Sequence, residues 1–302
     1  MLKKASFLSS IKGITEEKVI IIEELRSKYK LKDLLIIAEI SKSTYHYFIK
    51  TRKKRNETKA EEYKLVKEIF DKHKGAYGYP RITIELQNMG YKINKKKVYR
   101  IMKENGLYAG KKKRRYNSYK NHLKIEKDNL IAQDFSTTRP FEKLGTDVTM
   151  FITNYGRLYF SPIIDFHTRE ILAYDVSDNP DFGQTKRMLN QLKEKGYDLT
   201  NTIIHSDQGW QYKMKWYIDN VEKLKLKQSM SRKGNCLDNS PTENFFGRMK
   251  VEMFYGKSFS SLNHLIDEIK RYISYYNNER IVTKLRTSPV KYRENYFKKG
   301  AG

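Results

Sequence analysis

Hydrophobic and polar positions in the first part of the chain repeat at helical spacing. Apolar residues recur every three or four positions over residues 15–28 and 32–39, which predicts two short helices. Ser41 can cap a third helix that passes through Tyr45 and Phe48. This order is typical of a helix-turn-helix that binds DNA, although a small helical bundle with no DNA role has the same pattern.

The next segment repeats this arrangement. Glu61–His73 is amphipathic, the glycines and proline of Gly75–Arg81 end it, and Ile82–Met89 predicts another helix. Asn94 can cap Lys95–Glu104, which has one apolar side and a dense cationic side. Such a helix suits a phosphate backbone or a major groove, although an ordinary solvated helix would look similar. We therefore expect DNA-binding side chains here, namely Lys95, Lys96, Lys97 and Arg100.

A polar and cationic stretch follows. Runs of like charge rarely pack; as extended arms they displace counterions when they bind DNA. We interpret residues 111–143 as a basic linker. Its expected DNA-binding residues form one run: Lys111, Lys112, Lys113, Arg114 and Arg115.

From residue 144 the pattern changes to strands and then to alternating strands and helices. The predicted strands are Thr146–Ile152, Leu158–Asp165, Glu170–Val176, Asn201–His205 and Lys225–Met230, with a hairpin turn at Asn154–Arg157. The predicted helices are Asp181–Lys195, Gln211–Lys223, Thr242–Phe254 and Ser261–Asn277. A meander followed by alternating helix and strand indicates a mixed α/β sheet covered by helices.

The chain therefore divides into four predicted parts. Residues 1–55 form a helix-turn-helix module and residues 56–110 a second, similar module. A basic linker covers residues 111–143, and residues 144–302 form an α/β domain with C-terminal helices.

The net charge of the chain indicates what kind of partner it binds. The 302 residues include 61 Lys and Arg against 35 Asp and Glu, a formal charge of +26. Residues 1–143 carry 36 basic and 17 acidic side chains, and residues 144–302 carry 25 and 18. This excess predicts a polyanionic partner, although an AT-rich genome or a need for solubility also raises the lysine content.

Cysteine content and hydropathy limit the cellular compartments in which the protein can work. The single cysteine, Cys236, excludes an intramolecular disulfide and a cysteine-based zinc cluster. No apolar run approaches the length that spans a membrane, and no signal-peptide core follows the N-terminus. We expect a cytoplasmic protein.

Three acidic residues are candidates for chemistry. Asp147 is expected inside the first strand, where a carboxylate is unfavourable without a partner. Asp207 follows a strand, and Glu243 opens a helix after a further 35 intervening residues. Each also has a structural interpretation: Asp147 at a strand edge, Asp207 as a helix cap, and Glu243 in a capping box with Ser240.

Longer motifs around these residues resemble a known family. The sequence is similar to transposases of bacterial insertion sequences of the "insertion sequence three" family, which share a core with retroviral integrases. The resemblance covers residues 15–292 and rests on five stretches: 146–149, 205–212, 231–246, 275–280, and Leu285 with Ser288 and Pro289.

The resemblance implies a ribonuclease-H-like fold and a catalytic triad of two aspartates and a glutamate. These fall on Asp147, Asp207 and Glu243, with the family's basic residue, seven positions after the glutamate, at Lys250. Two Mg²⁺ ions, replaceable by Mn²⁺, are implied in each active site, since Mg²⁺ prefers carboxylate oxygens and activates phosphodiester attack. The loop 231–239 is expected to order on DNA, with Arg232 and Lys233 on phosphates. Where relatives often have glycine in the first helix-turn-helix turn, this chain has Glu39.

The implied function is cleavage of transposon ends and transfer of the 3′-hydroxyl to a second DNA. The expected partners are double-stranded terminal inverted repeats and target DNA, with several copies of the chain assembled on them. In this family a ribosomal slip often fuses the catalytic frame to an upstream frame that adds a zipper. This chain shows no such heptads, which predicts a downstream-frame product. Two alternatives stay open: a non-catalytic regulator that binds DNA ends without its upstream-frame partner, and another ribonuclease-H-like nuclease.

Overall fold

The computed structural model describes residues 15–110, 128–232 and 236–300. The chain forms two compact units, one within Met1–His73 together with Lys96–Leu107, the other within Lys74–Lys95 together with Tyr108–Gly302. The predicted DNA-binding residues Lys111, Lys112, Lys113, Arg114, Arg115 and Lys233 lie outside the described residues.

The first unit is helical. Its N-terminal helices are α1 (Thr15–Leu25), α2 (Leu31–Ala38) and α3 (Lys42–Lys72). The helix cap expected at Ser41 is present, since its hydroxyl accepts a hydrogen bond from the Thr44 N–H at 3.1 Å. The three helices enclose one apolar cluster, formed by Val19, Ile22, Leu34, Leu35, Ala38, Ile40 and Tyr45.

The turn between α2 and α3 is a tight one. Glu39 adopts the left-handed conformation, with φ 54° and ψ 42°. In this conformation the Cβ atom of an L-residue lies too close to a backbone carbonyl oxygen, which raises the energy. Glycine has no Cβ and is therefore favourable at this position.

Helix α3 is longer than the sequence analysis predicts. It runs through positions 55 and 56, where that analysis divides two modules, because residues 51–60 contain no glycine or proline to end it. Helix α5 (Lys95–Glu104) matches its predicted bounds and buries Val98 and Met102. An ion pair of 2.5 Å between Lys97 and Glu62 links α5 to α3.

The second unit contains a six-stranded sheet. Its strands are β1 (Lys143–Thr146), β2 (Thr149–Thr153), β3 (Gly156–Asp165), β4 (Ile171–Ser177), β5 (Ile203–Ser206) and β6 (Lys227–Met230). Antiparallel pairing joins β3 to β1, β2 and β4, and parallel pairing joins β1 to β5 and β5 to β6. The meander, with β1 next to β5, gives the ribonuclease-H-like mixed sheet that the resemblance implies.

Helices cover both faces of this sheet. The helices of this unit are α4 (Tyr79–Asn88), α6 (Phe182–Glu194), α7 (Lys215–Lys223), α8 (Ser240–Met249), α9 (Leu262–Asn278) and α10 (Pro289–Gly300), with a π-helical turn at Lys250–Phe254. One apolar cluster joins α6 and α7 to Leu144, Ile163 and Ile204 of the sheet. A second joins α8 and α9 to Phe151 and Phe160. Helix α10 was not predicted from the sequence.

A buried ion pair holds the C-terminal part of this unit. Arg280 is 1% exposed, and its guanidinium bonds both carboxylate oxygens of Glu252 at 2.6 and 2.7 Å. Arg81 and Tyr272 also donate to Glu252, at 3.3 and 2.9 Å. The Glu252 carboxylate therefore has enough donors to offset its loss of water.

In the described part of the chain, no helix has both the length and the apolar character needed to cross a membrane.

Candidate active site

Asp147 lies at a break in the sheet and not inside a strand, which corrects the sequence-based prediction. Strand β1 ends at Thr146 and β2 begins at Thr149. Both pair with β3 in one register, since Thr146 faces Ile163 and Thr149 faces Phe160. The register places Pro162 opposite Asp147, and a proline has no N–H to extend the ladder.

Side chains hold the backbone at this break. The hydroxyl of Ser161 donates to the Asp147 carbonyl oxygen at 3.1 Å. The Asp147 carboxylate accepts a hydrogen bond from the N–H of Val148 at 2.7 Å. These contacts fix Asp147 at the carboxyl end of β1. Pro162, in the second predicted strand (Leu158–Asp165), was the sequence signal that could have indicated the break.

Asp207 comes to the same edge by parallel pairing. Strand β5 lies beside β1, with Leu144 facing Ile204 and Gly145 facing His205. Continuing this register by two residues brings Asp207 beside Asp147, at the carboxyl ends of both strands. The Asp207 carboxylate accepts the N–H of Gly209 at 2.9 Å.

Glu243 reaches the site on helix α8. The predicted capping box is absent, because α8 begins at Ser240 with Asn239 as its N-cap, and the Asn239 side chain makes no capping hydrogen bond. Instead the Asn239 amide lies 3.4 Å from the carbonyl oxygen of Thr146. The glutamate is exposed and, in the described part of the chain, has no hydrogen-bond partner.

Close packing sets the distance between α8 and β1. A Cβ atom on Gly145 would lie 2.6 Å from the hydroxyl of Thr242 and 2.4 Å from the ring of Phe166. Only glycine therefore allows Thr242, the residue before Glu243, to rest on β1. The sequence analysis overlooked Gly145, Asn239 and Thr242, because their role depends on contacts between distant parts of the chain.

The three carboxylates affect one another. Burial, together with the charges of Asp207 and Glu243, raises the pKa of Asp147 well above its ordinary value. Burial also raises the pKa of Asp207, opposed by the Gly209 N–H and the charge of Lys213. Desolvation raises the pKa of Glu243, the most exposed of the three. A positive ion between them would relieve this repulsion.

The donor set fits a hard divalent cation by its chemistry, since all three candidates supply carboxylate oxygens. Within residues 15–110, 128–232 and 236–300, however, no three His, Cys, Asp or Glu side chains are close enough together to hold a metal ion as they stand. Glu243 has the freedom to change rotamer, because its carboxylate is exposed and unpartnered in these ranges.

His205 is a packed histidine. Its two ring nitrogens lie 2.8 and 3.0 Å from the hydroxyls of Ser229 and Ser231. Burial lowers the pKa of His205 to about 4, so the ring is neutral near pH 7.

Two other acidic residues of this unit, Asp165 and Glu170, are buried. Asp165 is fully buried and accepts hydrogen bonds from the N–H and hydroxyl of Thr168, at 3.0 and 2.7 Å. Glu170 is also buried and pairs with Arg293 at 2.6 Å. Asp165 therefore holds the turn that follows β3, and Glu170 ties the start of β4 to helix α10.

The predicted phosphate contacts have partners within the protein. Arg232 bonds both carboxylate oxygens of Asp238 at 3.1 Å, while 60% of its side chain stays exposed. Lys250 is half-buried with its ammonium 5.4 Å from the centre of the Phe151 ring, and burial lowers its pKa. On α5 the predicted residues Lys95, Lys96, Lys97 and Arg100 are exposed. Lys95 lies 5.6 Å from the Tyr79 ring centre.

Comparisons with known proteins place this site in a family. Residues 57–116 match the family model of an HTH-like domain, and residues 137–236 and 243–297 match two models described as integrase core domains. The chain is 41% identical over 278 residues to InsK of insertion sequence element IS150 of Escherichia coli (strain K12), covering 92% of this chain and 98% of that protein. It is 33% identical to the transposase of IS904 of Lactococcus lactis, covering 76% and 92%.

The chain belongs to the insertion-sequence transposases.

Two further proteins are similar to the chain. The transposase InsF of insertion sequence IS3A from Escherichia coli is 29% identical, over 87% of this chain and 93% of that protein. A simian T-cell lymphotropic virus intasome chain is 11% identical with a TM-score of 0.43, covering 76% of this chain and 74% of that chain. The family membership makes the protein a DNA transposase, a polynucleotidyl transferase whose partner is DNA.

Proposed function

We propose that this transposase cleaves the ends of its element and joins the exposed 3′-hydroxyl to target DNA, using Asp147, Asp207 and Glu243. The supporting observation is electrostatic. Residues far apart in sequence lie near enough at one sheet edge that the charges of two raise the pKa of the third. Acidic groups with raised pKa values often gather where a protein does chemistry.

Divalent metal ions are part of this proposal. Asp147, Asp207 and Glu243 would hold Mg²⁺, with Mn²⁺ as a substitute and two ions in each site. The ions would supply an activated oxygen nucleophile and neutralise charge on the leaving oxygen. The protein contributes the adjacent ends of β1 and β5, the Ser161 contact that orients Asp147, and the exposed Glu243 carboxylate.

DNA binding would come from basic side chains of both units. The exposed cations of α5, from Lys95 to Arg100, suit the phosphate backbone of a terminal repeat. The half-exposed Arg232 and the desolvated Lys250 lie on the segments that flank Glu243, where they would contact phosphates beside the scissile bond. The run Lys111–Arg115 and Lys233 remain proposed contacts from their charge alone.

The test compares the wild type with Glu243→Gln on labelled duplexes that carry the element's ends. We expect Mg²⁺- or Mn²⁺-dependent nicking and joining by the wild type. The variant should lose both activities and keep its affinity for DNA. Glu222→Gln is the matched control, because Glu222 is an exposed glutamate on α7. Nicking by Glu243→Gln at the wild-type rate would remove Glu243 from the proposed triad.

Binding without nicking by either protein would instead support a regulator, or a need for an upstream-frame partner. We also propose that several copies assemble on DNA, since joining requires two ends held together. Light scattering after size exclusion should show more than one chain for each pair of ends. A single chain on each DNA would contradict this.

A further inference from the structure

An exposed tryptophan follows Asp207 almost directly. Trp210 begins a 3₁₀ turn, Trp210–Lys213, and 45% of its surface is exposed. In the described part of the chain, its indole stacks on no other ring and accepts no cation. The other tryptophan, Trp216, by contrast lies 5.4 Å from Phe182, edge to face, with an ammonium 5.2 Å from its ring centre.

The backbone on both sides of Trp210 is anchored. The N–H of Gly209 donates to the Asp207 carboxylate at 2.9 Å. On the other side Tyr212 is fully buried, and its carbonyl oxygen accepts from the side-chain amide of Gln228 at 2.7 Å. The indole is therefore presented from a fixed turn, at the sheet edge that carries Asp147 and Asp207.

The exposed residues that follow Trp210 in the sequence are apolar and cationic. Met214 is 41% exposed, and Lys215 beside it is also exposed. The charge of Lys213 reaches the Asp207 carboxyl, where it partly offsets the rise in pKa that burial causes. A large exposed apolar side chain on so polar a protein is typical of an interaction site. Lysines next to it favour a polyanion over an apolar protein partner.

The chemistry of an exposed indole indicates which part of a DNA molecule it would bind. Aromatic rings stack on the faces of unpaired bases, whatever the sequence, and apolar side chains can wedge between base steps. Inside a paired duplex those base faces are already covered by their neighbours. The Trp210 indole would therefore favour DNA with unpaired bases next to the site of cleavage.

We propose that Trp210 stacks on an unpaired base of the DNA next to the bond that is cut. The place of this contact rests on the proposed role of Asp207 in catalysis. The stacking itself requires neither metal nor cleavage, so the two proposals can fail separately.

The test uses the full chain in EDTA, where no cutting occurs. The variant Trp216→Phe leaves Trp210 as the one tryptophan of the chain, because the sequence contains two. The probes are two short duplexes of equal length and sequence, one fully paired and one with mismatched terminal base pairs. We expect stronger quenching of tryptophan emission by the mismatched duplex.

Affinity measurements complete the test. Trp210→Ala should weaken binding of the mismatched duplex about 10-fold and leave binding of the paired duplex unchanged. Trp210→Phe should recover much of the loss. Tyr155→Ala is the matched control, because Tyr155 is 55% exposed on the turn between β2 and β3.

Equal quenching by the two duplexes would overturn the proposal, as would an unchanged affinity of Trp210→Ala for the mismatched one. An equal loss for both duplexes would also overturn it, since Trp210 would then be a general DNA contact. None of these outcomes depends on Glu243 or on metal, so they leave the proposed triad untouched.

Discussion

Replacing Gly145 with alanine tests how packing positions the site. The new Cβ would lie 2.4 and 2.5 Å from two ring atoms of Phe166 and 2.6 Å from the Thr242 hydroxyl. Apolar atoms pack favourably at about 3.5–4.0 Å, so β1 and its neighbours must separate by about 1 Å. Neither neighbour can turn away into solvent, because Phe166 is 1% exposed and Thr242 is fully buried.

Two magnitudes follow from this displacement. Overpacking of this kind costs about 1–3 kcal/mol of unfolding free energy. Thr242 precedes Glu243 in α8, so the same shift moves the glutamate relative to Asp147. A misplacement of about 1 Å can lower the rate of a catalysed step about 100-fold. We therefore expect a moderately destabilised variant that loses most of its nicking activity.

The assay pairs urea denaturation with metal-dependent nicking, at a temperature where the variant is fully folded. Gly78→Ala is the control, because a Cβ there meets Pro80 and Ala109 at ordinary distances of 3.6 and 3.9 Å. Gly145→Ser should be worse than Gly145→Ala in both measurements. A Gly145→Ala protein with wild-type stability and nicking would refute the argument that this glycine sets the position of α8.

Three further predictions concern charge and backbone strain. Glu252→Gln should lower the unfolding free energy by about 3–5 kcal/mol in urea denaturation, because it leaves the buried Arg280 without its counter-charge; a loss below about 1 kcal/mol would mean that water solvates the arginine. Asp147→Asn should raise the thermal midpoint in metal-free buffer, since ionising a carboxyl whose folded pKa is raised costs stability. That gain should grow as the pH rises above the ordinary aspartate value of 3.8 and vanish below it, where Asp147 is protonated in both states, so a pH-independent difference would contradict the cause given. Glu39→Gly should stabilise the N-terminal helices by about 0.5–1 kcal/mol, measured by hydrogen exchange, because it relieves the left-handed φ of 54°; slower exchange in the wild type would count against this.

The sequence predicts most elements of the second unit because their signals are local. The hairpin at residues 154–157, the helix capped by Asp181 and the two strands that flank α7 all occur close to their predicted bounds. Alternation of apolar residues and capping chemistry act within a few positions, so one chain suffices to read them. The mixed α/β class could be inferred on the same basis. The ribonuclease-H-like fold was implied by the family resemblance, and the family comparison confirms it.

The misplaced features depend on tertiary contacts. Asp147 was expected within a strand, but the break depends on Pro162, which stands opposite only once β1 and β3 are in register. The capping box at Ser240 fits the local sequence, yet the Asn239 amide lies against the Thr146 carbonyl oxygen instead. Local preference and packing disagree here, as they often do where a structure serves a site.

The arrangement of the three carboxylates has a cost that the rest of the unit offsets. Each of Asp147, Asp207 and Glu243 has its pKa raised, so ionising all three near neutral pH opposes folding. Their positions persist because other contacts determine them: the parallel register of β1 and β5, the hydroxyl of Ser161, and the glycine beneath α8. A site built for stability alone would have spread or neutralised these charges. Their retention at one edge, in a protein that handles a polyanion, is what a divalent cation between them would explain.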